Sequence, residues 1–379
     1  MLPGVHVVIA PDSFKGSLAA DRAAEAVAEG VLRARPDAEV VLRPVADGGE
    51  GTVAAALRAG YRARTARVSG PDGRPVDAVF AVDGTTAVLE LASAAGLGLL
   101  ERPAPLTATT YGVGELVRAA LDAGAGRIVL GAGGSATTDG GAGLLQALGV
   151  RLLDAEGREV PRGGAGLARL DRIDVGARDP RLHGTELVVG VDVDNPLTGP
   201  EGAAAVFGPQ KGATPEQVAV LDAALSRFAA VVRRDLGVDL LGRPAMGAAG
   251  GTAGGLAATI ARGVGSGARY VCDLVGLDDA LTGAALAITG EGSLDEQTLR
   301  GKAPAEVAAR AAAAGVPCLA LAGAVRLAPE RLRAAGFVAG HALTEVEPDV
   351  RRCLAEAPRV LAELAARVVG VVLPPGASR

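Results

Sequence analysis

Acids, lysines, hydroxyls and glycines recur together in five short stretches of this 379-residue chain. The first, APDSFKGS at residues 10–17, follows an apolar run and precedes a helical pattern. It offers a carboxylate (Asp12), two hydroxyls (Ser13, Ser17) and an ammonium (Lys15) beside a helix N-terminus, where free backbone N–H groups attract anions. A polar turn with Ser17 as helix cap explains the hydroxyls but leaves Asp12 and Lys15 without a role. The second stretch, ADGGEGT at 46–52, sets Asp47 and Glu50 around adjacent glycines at another helix start. These acids either complement the helix dipole or, with glycine allowing close approach, hold Mg2+ or a substrate.

The third stretch, GAGGSATTDGG at 131–141, follows a short apolar strand. A glycine-rich turn with hydroxyls ahead of a helix is a candidate phosphate cradle, with Gly133, Gly134, Ser135, Thr137 and Asp139 as its contacts. The stretch also partly fits the dinucleotide pattern G-x-G-x-x-[GA], with Asp154 as the acid farther on. No Walker A loop is present, because Gly301-Lys302 is followed by Ala303. The fourth stretch, GVDVDNPLTG, brings Asp192, Asp194 and the chain's single asparagine, Asn195, to a strand end, and FGPQKG follows with Lys211. Carboxylates there can orient a hydroxyl or hold Mg2+. An Asx turn before Pro196 accounts for Asn195 but not for Asp192. The fifth, GEGSLDEQTLRGK at 290–302, reads as an unusually long loop from Gly290 and Gly292 to Lys302, and such loops are commonly functional. Glu291 and Asp295 are Mg2+ candidates there, and Lys302 a phosphate contact.

His6, His183 and His341 lie outside all five stretches, which argues against a histidine base and a Ser-His-Asp hydrolase. No His/Cys spacing suits zinc. The remaining inventory suits phosphoryl transfer, where a protein mainly positions reactants and offsets charge. Lys15, Lys211 and Lys302 are the only lysines among 38 basic residues. In a composition drifting toward arginine, such lysines are either chance survivors or mark positions where a compact ammonium is not interchangeable with a planar guanidinium. The net charge of −5 is spread along the chain, which argues against nucleic acid or an anionic membrane as the main partner. Cys272, Cys318 and Cys353 sit in apolar surroundings and read as buried thiols of a reducing compartment. With no basic leader and no long apolar run, the expectation is a cytoplasmic protein, monomeric or homodimeric, acting on a small molecule.

The elements that position these stretches alternate. Strand, helix, strand, helix open the chain, with strands at 6–10 and 40–46 and a helix at 52–59. A hairpin at 66–82 turns on Pro71-Asp72-Gly73, with a third strand at 88–91. A helix at 113–123, strands at 127–130, 150–154 and 186–191, and a long helix from Thr214 to 236 follow. That helix starts on a T-P-x-Q capping pattern. A glycine-rich stretch at 237–255 reads as loop, with helices onward to 280. Strands at 286–289, 318–322 and 337–341 alternate with helices at 305–314, 329–335 and 358–372. The two chain ends together supply five strands alternating with helices, the count of a flavodoxin-like doubly wound parallel sheet. The expectation is a discontinuous domain from residues 1–65 and 283–379, a second α/β domain at 66–282 inserted into it, and an active-site cleft between them.

In order along the chain, APDSFKGSL, VADGGEGT, GGSATTDGGAGLLQALG, DVDNPLTGPEGA, FGPQKGA, GAAGG and ITGEGSLDEQTLRGK closely resemble the motifs of the type I glycerate kinases. The resemblance runs from residue 10 to about 303. It implies ATP-dependent phosphorylation of D-glycerate with Mg2+, usually to 2-phosphoglycerate in bacterial members, and a flavodoxin-like domain carrying an inserted α/β domain. Small departures occur: Ser293 stands where many relatives have arginine, Thr138 where many have asparagine, and Ala324-Val325 where Ser-Leu is common. On this reading Asp192 orients or deprotonates the attacking hydroxyl, and Lys15, Lys211 and Lys302 offset phosphoryl charge. Acids among Asp47, Glu50, Glu291 and Asp295 hold Mg2+. Asp12, Ser13, Ser17, Asn195, Gly290 and Gly292 line substrate or phosphate with the 131–141 loop. Two other classes stay in view. A nicotinamide-dependent oxidoreductase would require the 131–136 loop in a continuous βαβ unit with Asp154 at the next strand's end. A non-catalytic sugar-acid sensor would require a DNA-binding or partner module, of which no sign is seen.

Overall fold

A computed structural model describes residues 5–374. The chain divides into two compact units, one of residues 1–47, 54–59 and 268–379, the other of residues 48–53 and 60–267.

The first unit is built on a five-stranded, wholly parallel sheet of His6–Ile9, Glu39–Leu42, Leu286–Leu294, Cys318–Val325 and Phe337–Ala342. Numbered one to five in chain order, these strands lie in the order 2-1-3-4-5, which is the flavodoxin-like arrangement. The central strands are largely apolar because both faces are covered, with Glu291 and Ser293 confined to the carboxyl end of Leu286–Leu294. Val7 and Ile9 pack with the helices Ala20–Ala34 and Ala357–Val372. Val8 and Ala10 face the opposite way, toward Ala303–Ala313 and the helices between 268 and 281.

The second unit carries a six-stranded sheet, ordered from Gly263–Ser266 through Glu186–Val191, Arg127–Gly131, Thr86–Glu90 and Pro75–Asp83 to Arg62–Ser69. The first four run parallel, and the last two form the antiparallel hairpin expected at Pro71–Gly73. Its core is large and aliphatic, with Phe228 fully buried. The helix Pro215–Leu236 begins as its sequence demands, with a capping box between Thr214 and Gln217 and Pro215 in the first turn. It ends on Gly237 in the left-handed conformation.

Several expectations are corrected. Ser17 does not cap the first helix, which starts at Ala20 with Ala19 at the cap position; the Ser17 hydroxyl donates to the Phe14 carbonyl instead. The second strand stops at Leu42, because Pro44 cannot continue a ladder. Residues 290–294 are not loop. The strand runs on to Leu294, with Glu291 beside Ala322 and Ser293 beside Ala324. Two short strands were not foreseen: Gly263–Ser266, and Arg172–Asp174, which pairs antiparallel with Arg151–Leu153 in a separate small sheet. All three cysteines are buried and unpaired by disulfide. Among the described residues, no helix is long and apolar enough to cross a membrane.

Candidate active site

In the first unit the strand order reverses between His6–Ile9 and Leu286–Leu294, which lie side by side. Doubly wound sheets bind ligands outside the carboxyl ends of the strands at such a reversal. Asp12 stands there just past the first strand, its amide donating to the Gly290 carbonyl at 2.8 Å. Asp12, Asp47 and Glu291 are all buried. Burial first, then the charges of Asp47 and Glu291, push the Asp12 carboxyl up to about 7, against the opposing pull of the Ser13 amide and Lys15. Burial also raises Glu291, with smaller contributions from Asp295 and Asp47; the Thr298 hydroxyl and Lys302 oppose it. Thr298 donates to Glu291 Oε1 at 2.5 Å, and Lys302 Nζ lies 3.9 Å from Glu291 Oε2. Lys15 Nζ is 3.7 Å from Asp47 Oδ2 while its side chain remains 76% exposed, so solvent screens the pairing.

Asp295 shapes the turn after the strand, accepting from the Gln297 amide at 2.9 Å and, more weakly, from the Ser293 hydroxyl at 3.4 Å. Gly290 admits no side chain, since a Cβ would meet the Leu321 carbonyl oxygen at 1.9 Å. Gly292 has the Lys15 backbone beside it. The first unit therefore brings together Asp12, Ser13, Lys15, Asp47, Gly290, Glu291, Gly292, Asp295 and Lys302. Ser17 is engaged locally.

In the second unit the carboxyl ends of the parallel strands bring Glu90, the 131–141 loop and Asp192 to one edge of the sheet. Asp192 is half-buried and directly follows Val191. Asn195 donates to the Glu201 carbonyl, and its own carbonyl accepts from the Gly247 amide. The loop is fixed from within. Asp139 is fully buried and accepts from the Thr110 amide and hydroxyl, both at 2.9 Å, and from the Gly141 and Gly143 amides. Burial raises its carboxyl, and these four donors oppose that. Lys211 is only 2% exposed; its ammonium donates to Ser135 Oγ at 2.9 Å and to the Thr137 carbonyl at 2.6 Å. Burial lowers it to about 8, with Asp139 partly offsetting. The Thr137 and Thr138 hydroxyls are buried without a partner.

The glycines of two motifs meet backbone to backbone. A Cβ on Gly131 would stand 2.5 Å from the Gly48 oxygen, and one on Gly133 would stand 2.4 Å from Gly49 Cα. These glycines thus serve chain packing, leaving Gly134, at φ +70°, to shape the turn before Ser135. The glycine stretch at 247–255 braces the same loop: Gly140 donates to the Gly250 carbonyl, and Gly250 has no room for a Cβ against Thr137. Its helix starts earlier than expected, at Thr252. Glu50 belongs to this unit; it is exposed and acts on Glu90.

Glu90 escaped the sequence reading because LELAS has neither glycine nor lysine beside the acid. Its Oε1 accepts from the Gly51 amide at 3.0 Å and the Val53 amide at 2.7 Å, pinning the ADGGEGT turn at its helix start. Burial raises this carboxyl; the amides of Val53 and Gly51 oppose it. Glu90→Ala is expected to lower unfolding free energy by about 1–3 kcal/mol, the cost of stranding buried donors. Glu90→Gln, which keeps an acceptor oxygen, should retain most of it. Denaturant titration of both variants checks this.

Asp154 is not at the end of a parallel strand. The strand before it belongs to the separate antiparallel pair, and its carboxylate is bound by Arg158 and Arg169. The βαβ unit that a nicotinamide fingerprint requires is therefore missing. No histidine joins the site: His183 and His341 contact Arg178 and Glu345, and His6 lies in the first strand.

Carboxylates, ammonium groups and hydroxyls at the carboxyl ends of parallel strands are the equipment of an α/β phosphotransferase. The family model described as the glycerate kinase family matches residues 7–373, and the chain belongs to that family. It is 48% identical to the glycerate kinase of Bacillus subtilis (strain 168) over 326 residues, covering 85% of each chain. It is 45% identical to the glycerate 2-kinase of Escherichia coli (strain K12), covering 85% of this chain and 86% of that one. A crystal structure from Salmonella typhimurium LT2, described as a candidate glycerate kinase 2, superposes with a TM-score of 0.83 at 42% identity, covering 97% of this chain and 98% of that one.

Proposed function

We propose that the chain transfers the γ-phosphoryl group of ATP to a hydroxyl of D-glycerate, with the 2-hydroxyl preferred. The observation that carries this reading is the group of buried acids Asp12, Asp47 and Glu291 at the sheet reversal, with Lys15 and Lys302 beside it. Crowded carboxylates destabilise one another unless a cation joins them. The kinship with a glycerate 2-kinase supports the choice of hydroxyl.

The donor set fits Mg2+, a hard ion that takes oxygen ligands and is held by one or two carboxylates with phosphates and water supplying the rest. Among the described residues, no group of three or more His, Cys, Asp or Glu is arranged to hold a metal ion. Asp47 and Glu291 are the residues that would hold it. When bound, Mg2+ neutralises charge on the phosphate oxygens.

The chain's own residues do the rest. The Asp192 carboxylate takes the proton of the glycerate hydroxyl as that oxygen bonds to the γ-phosphorus. The bond from phosphorus to the bridging oxygen breaks, and ADP leaves with that oxygen. Lys15 and Lys302 offset charge on the phosphoryl oxygens. Ser135, oriented by Lys211, and the amides around Gly134 hold the acceptor.

ADP release over a panel of small hydroxy acids, followed by 31P and 13C NMR of the product, tests this. D-Glycerate should be the best acceptor, with phosphorus on the C2 oxygen. Absence of ADP release with every hydroxy acid would overturn the reading, and phosphorus on the C3 oxygen would overturn the choice of hydroxyl.

A further inference from the structure

A cavity of about 290 Å³ opens in the first unit beside the carboxyl end of the strand Glu39–Leu42. Its walls include Leu42, Pro44, Ala55, Leu274 and Val275, with Arg43 among them. Nothing in the phosphoryl-transfer chemistry above uses it. We propose that this cavity receives the purine base of the nucleotide co-substrate, an assignment that rests on the kinase reading.

Three observations point to a flat, weakly polar, uncharged ring system. First, aliphatic side chains line the cavity together with polar atoms that make up the larger part of its exposed wall, a mixture that suits a ring with a polar rim. The second arginine at the cavity, Arg58, is already paired with Glu25 at 2.7 Å and Asp21 at 3.5 Å. An anion would therefore find one available guanidinium, not two.

Second, Arg43 has a donor to spare. Its Nη1 donates to the Leu42 carbonyl at 3.0 Å, whereas its Nε is buried with no partner. A buried donor left unmade is costly, and purine ring nitrogens are acceptors. A guanidinium plane also stacks on aromatic faces. The strand Glu39–Leu42 is the sheet's edge, so one side of its backbone carries no ladder and is open to a ligand's polar rim.

Third, the position suits a nucleotide whose phosphates lie at the acid group. Pro44 is followed by Val45, whose amide donates to the Pro11 carbonyl at 3.0 Å, and Asp12 follows Pro11. Two Cα steps of about 3.8 Å and one interstrand gap of about 4.8 Å place the cavity wall within about 12 Å of Asp12. A ribose and a phosphate chain bridge that distance.

The test fills the cavity and removes the donor separately. Ala59 lies exposed at the cavity, so Ala59→Phe fills it without entering the core, and Arg43→Met removes the unpaired Nε. Steady-state kinetics would follow KM for ATP, KM for D-glycerate and the inhibition constant of inorganic tripolyphosphate, which has phosphates but no base. The expected result is a rise of about ten-fold in KM for ATP in both variants, with the other two constants within about two-fold of wild type. Thermal unfolding establishes that each variant is folded, and either alone suffices. An unchanged KM for ATP overturns the proposal, as does a parallel rise in the tripolyphosphate constant, which would put the effect on the phosphates. No ADP release by the wild-type enzyme would instead remove the kinase reading, and this assignment with it.

Discussion

Asp192→Asn is expected to lower kcat by about 10²–10⁴-fold, the range over which a positioned general base contributes. Asparagine keeps the shape of the side chain and can still accept a hydrogen bond, but it cannot take the hydroxyl proton. Affinity for ATP, followed by equilibrium binding, should change little, because the proposed mechanism has Asp192 serve the acceptor hydroxyl. The residue stands at the end of Glu186–Val191, half-buried, on a strand flanked by parallel neighbours on both sides. The strand that ends one residue before it is held by the sheet on both sides, so the substitution changes a carboxylate anchored next to a fixed strand. Turnover close to wild type would take Asp192 out of this role.

Lys211 carries the second large effect. Its ammonium holds Ser135 and the Thr137 carbonyl in place, and Lys211→Met should cost about 10²-fold or more in turnover, as removal of one preorganised donor does. The same lysine predicts a pH dependence. Burial lowers its pKa from 10.5 to about 8. Between those values the unfolded chain carries a proton that the folded chain has released, so stability rises with pH across that window. Below pH 8 the folded protein bears the full cost of an ammonium held out of water, about 3 kcal/mol for a shift of this size. The rise between pH 8 and 10.5 should be present in wild type and absent in Lys211→Met, which unfolding free energies measured in parallel would show. In kinetics, kcat/KM should fall as pH increases through about 8. Lys211→Arg stays charged throughout, so its activity, although reduced, should lack that alkaline limb.

Much of the fold was legible because its strands are short apolar runs bounded by glycine and proline, and its longest helix announces itself with Thr214, Pro215 and Gln217. What was not legible arises from pairing over distance. Residues 290–294 combine Gly, Glu and Ser, which have poor strand propensity. They become strand because Cys318–Val325 lies alongside. Gly263–Ser266 has no periodicity and is strand only by virtue of Glu186–Val191.

The site divides similarly. Asp12, Asp47 and Glu291 were visible as acids at strand ends, where this fold places ligands. The burial of Lys211 was not visible, since FGPQKGA reads as an exposed loop. Nor was the use of Asp139, whose carboxylate takes hydrogen bonds from its own loop and from Thr110. Glycine motifs are ambiguous in sequence because a backbone approached closely by phosphate and one approached closely by another backbone need the same missing side chain. Gly131 and Gly133 belong to the second kind.

The central strands of the flavodoxin-like sheet join opposite ends of the chain: Val7 pairs with Leu286, and the Thr289 hydroxyl donates to the Ala10 carbonyl 279 residues away. On the ribosome this has a temporal meaning. The first two strands emerge early with no partner for their inner edge, while residues 60–267 form a continuous stretch able to complete its own sheet. The outer sheet closes only after the last third of the chain has been synthesised, and closing so distant a pairing is slow. Until then the apolar strand His6–Ile9, which delivers Asp12 to the site, lacks its inner partner and is open to mispairing.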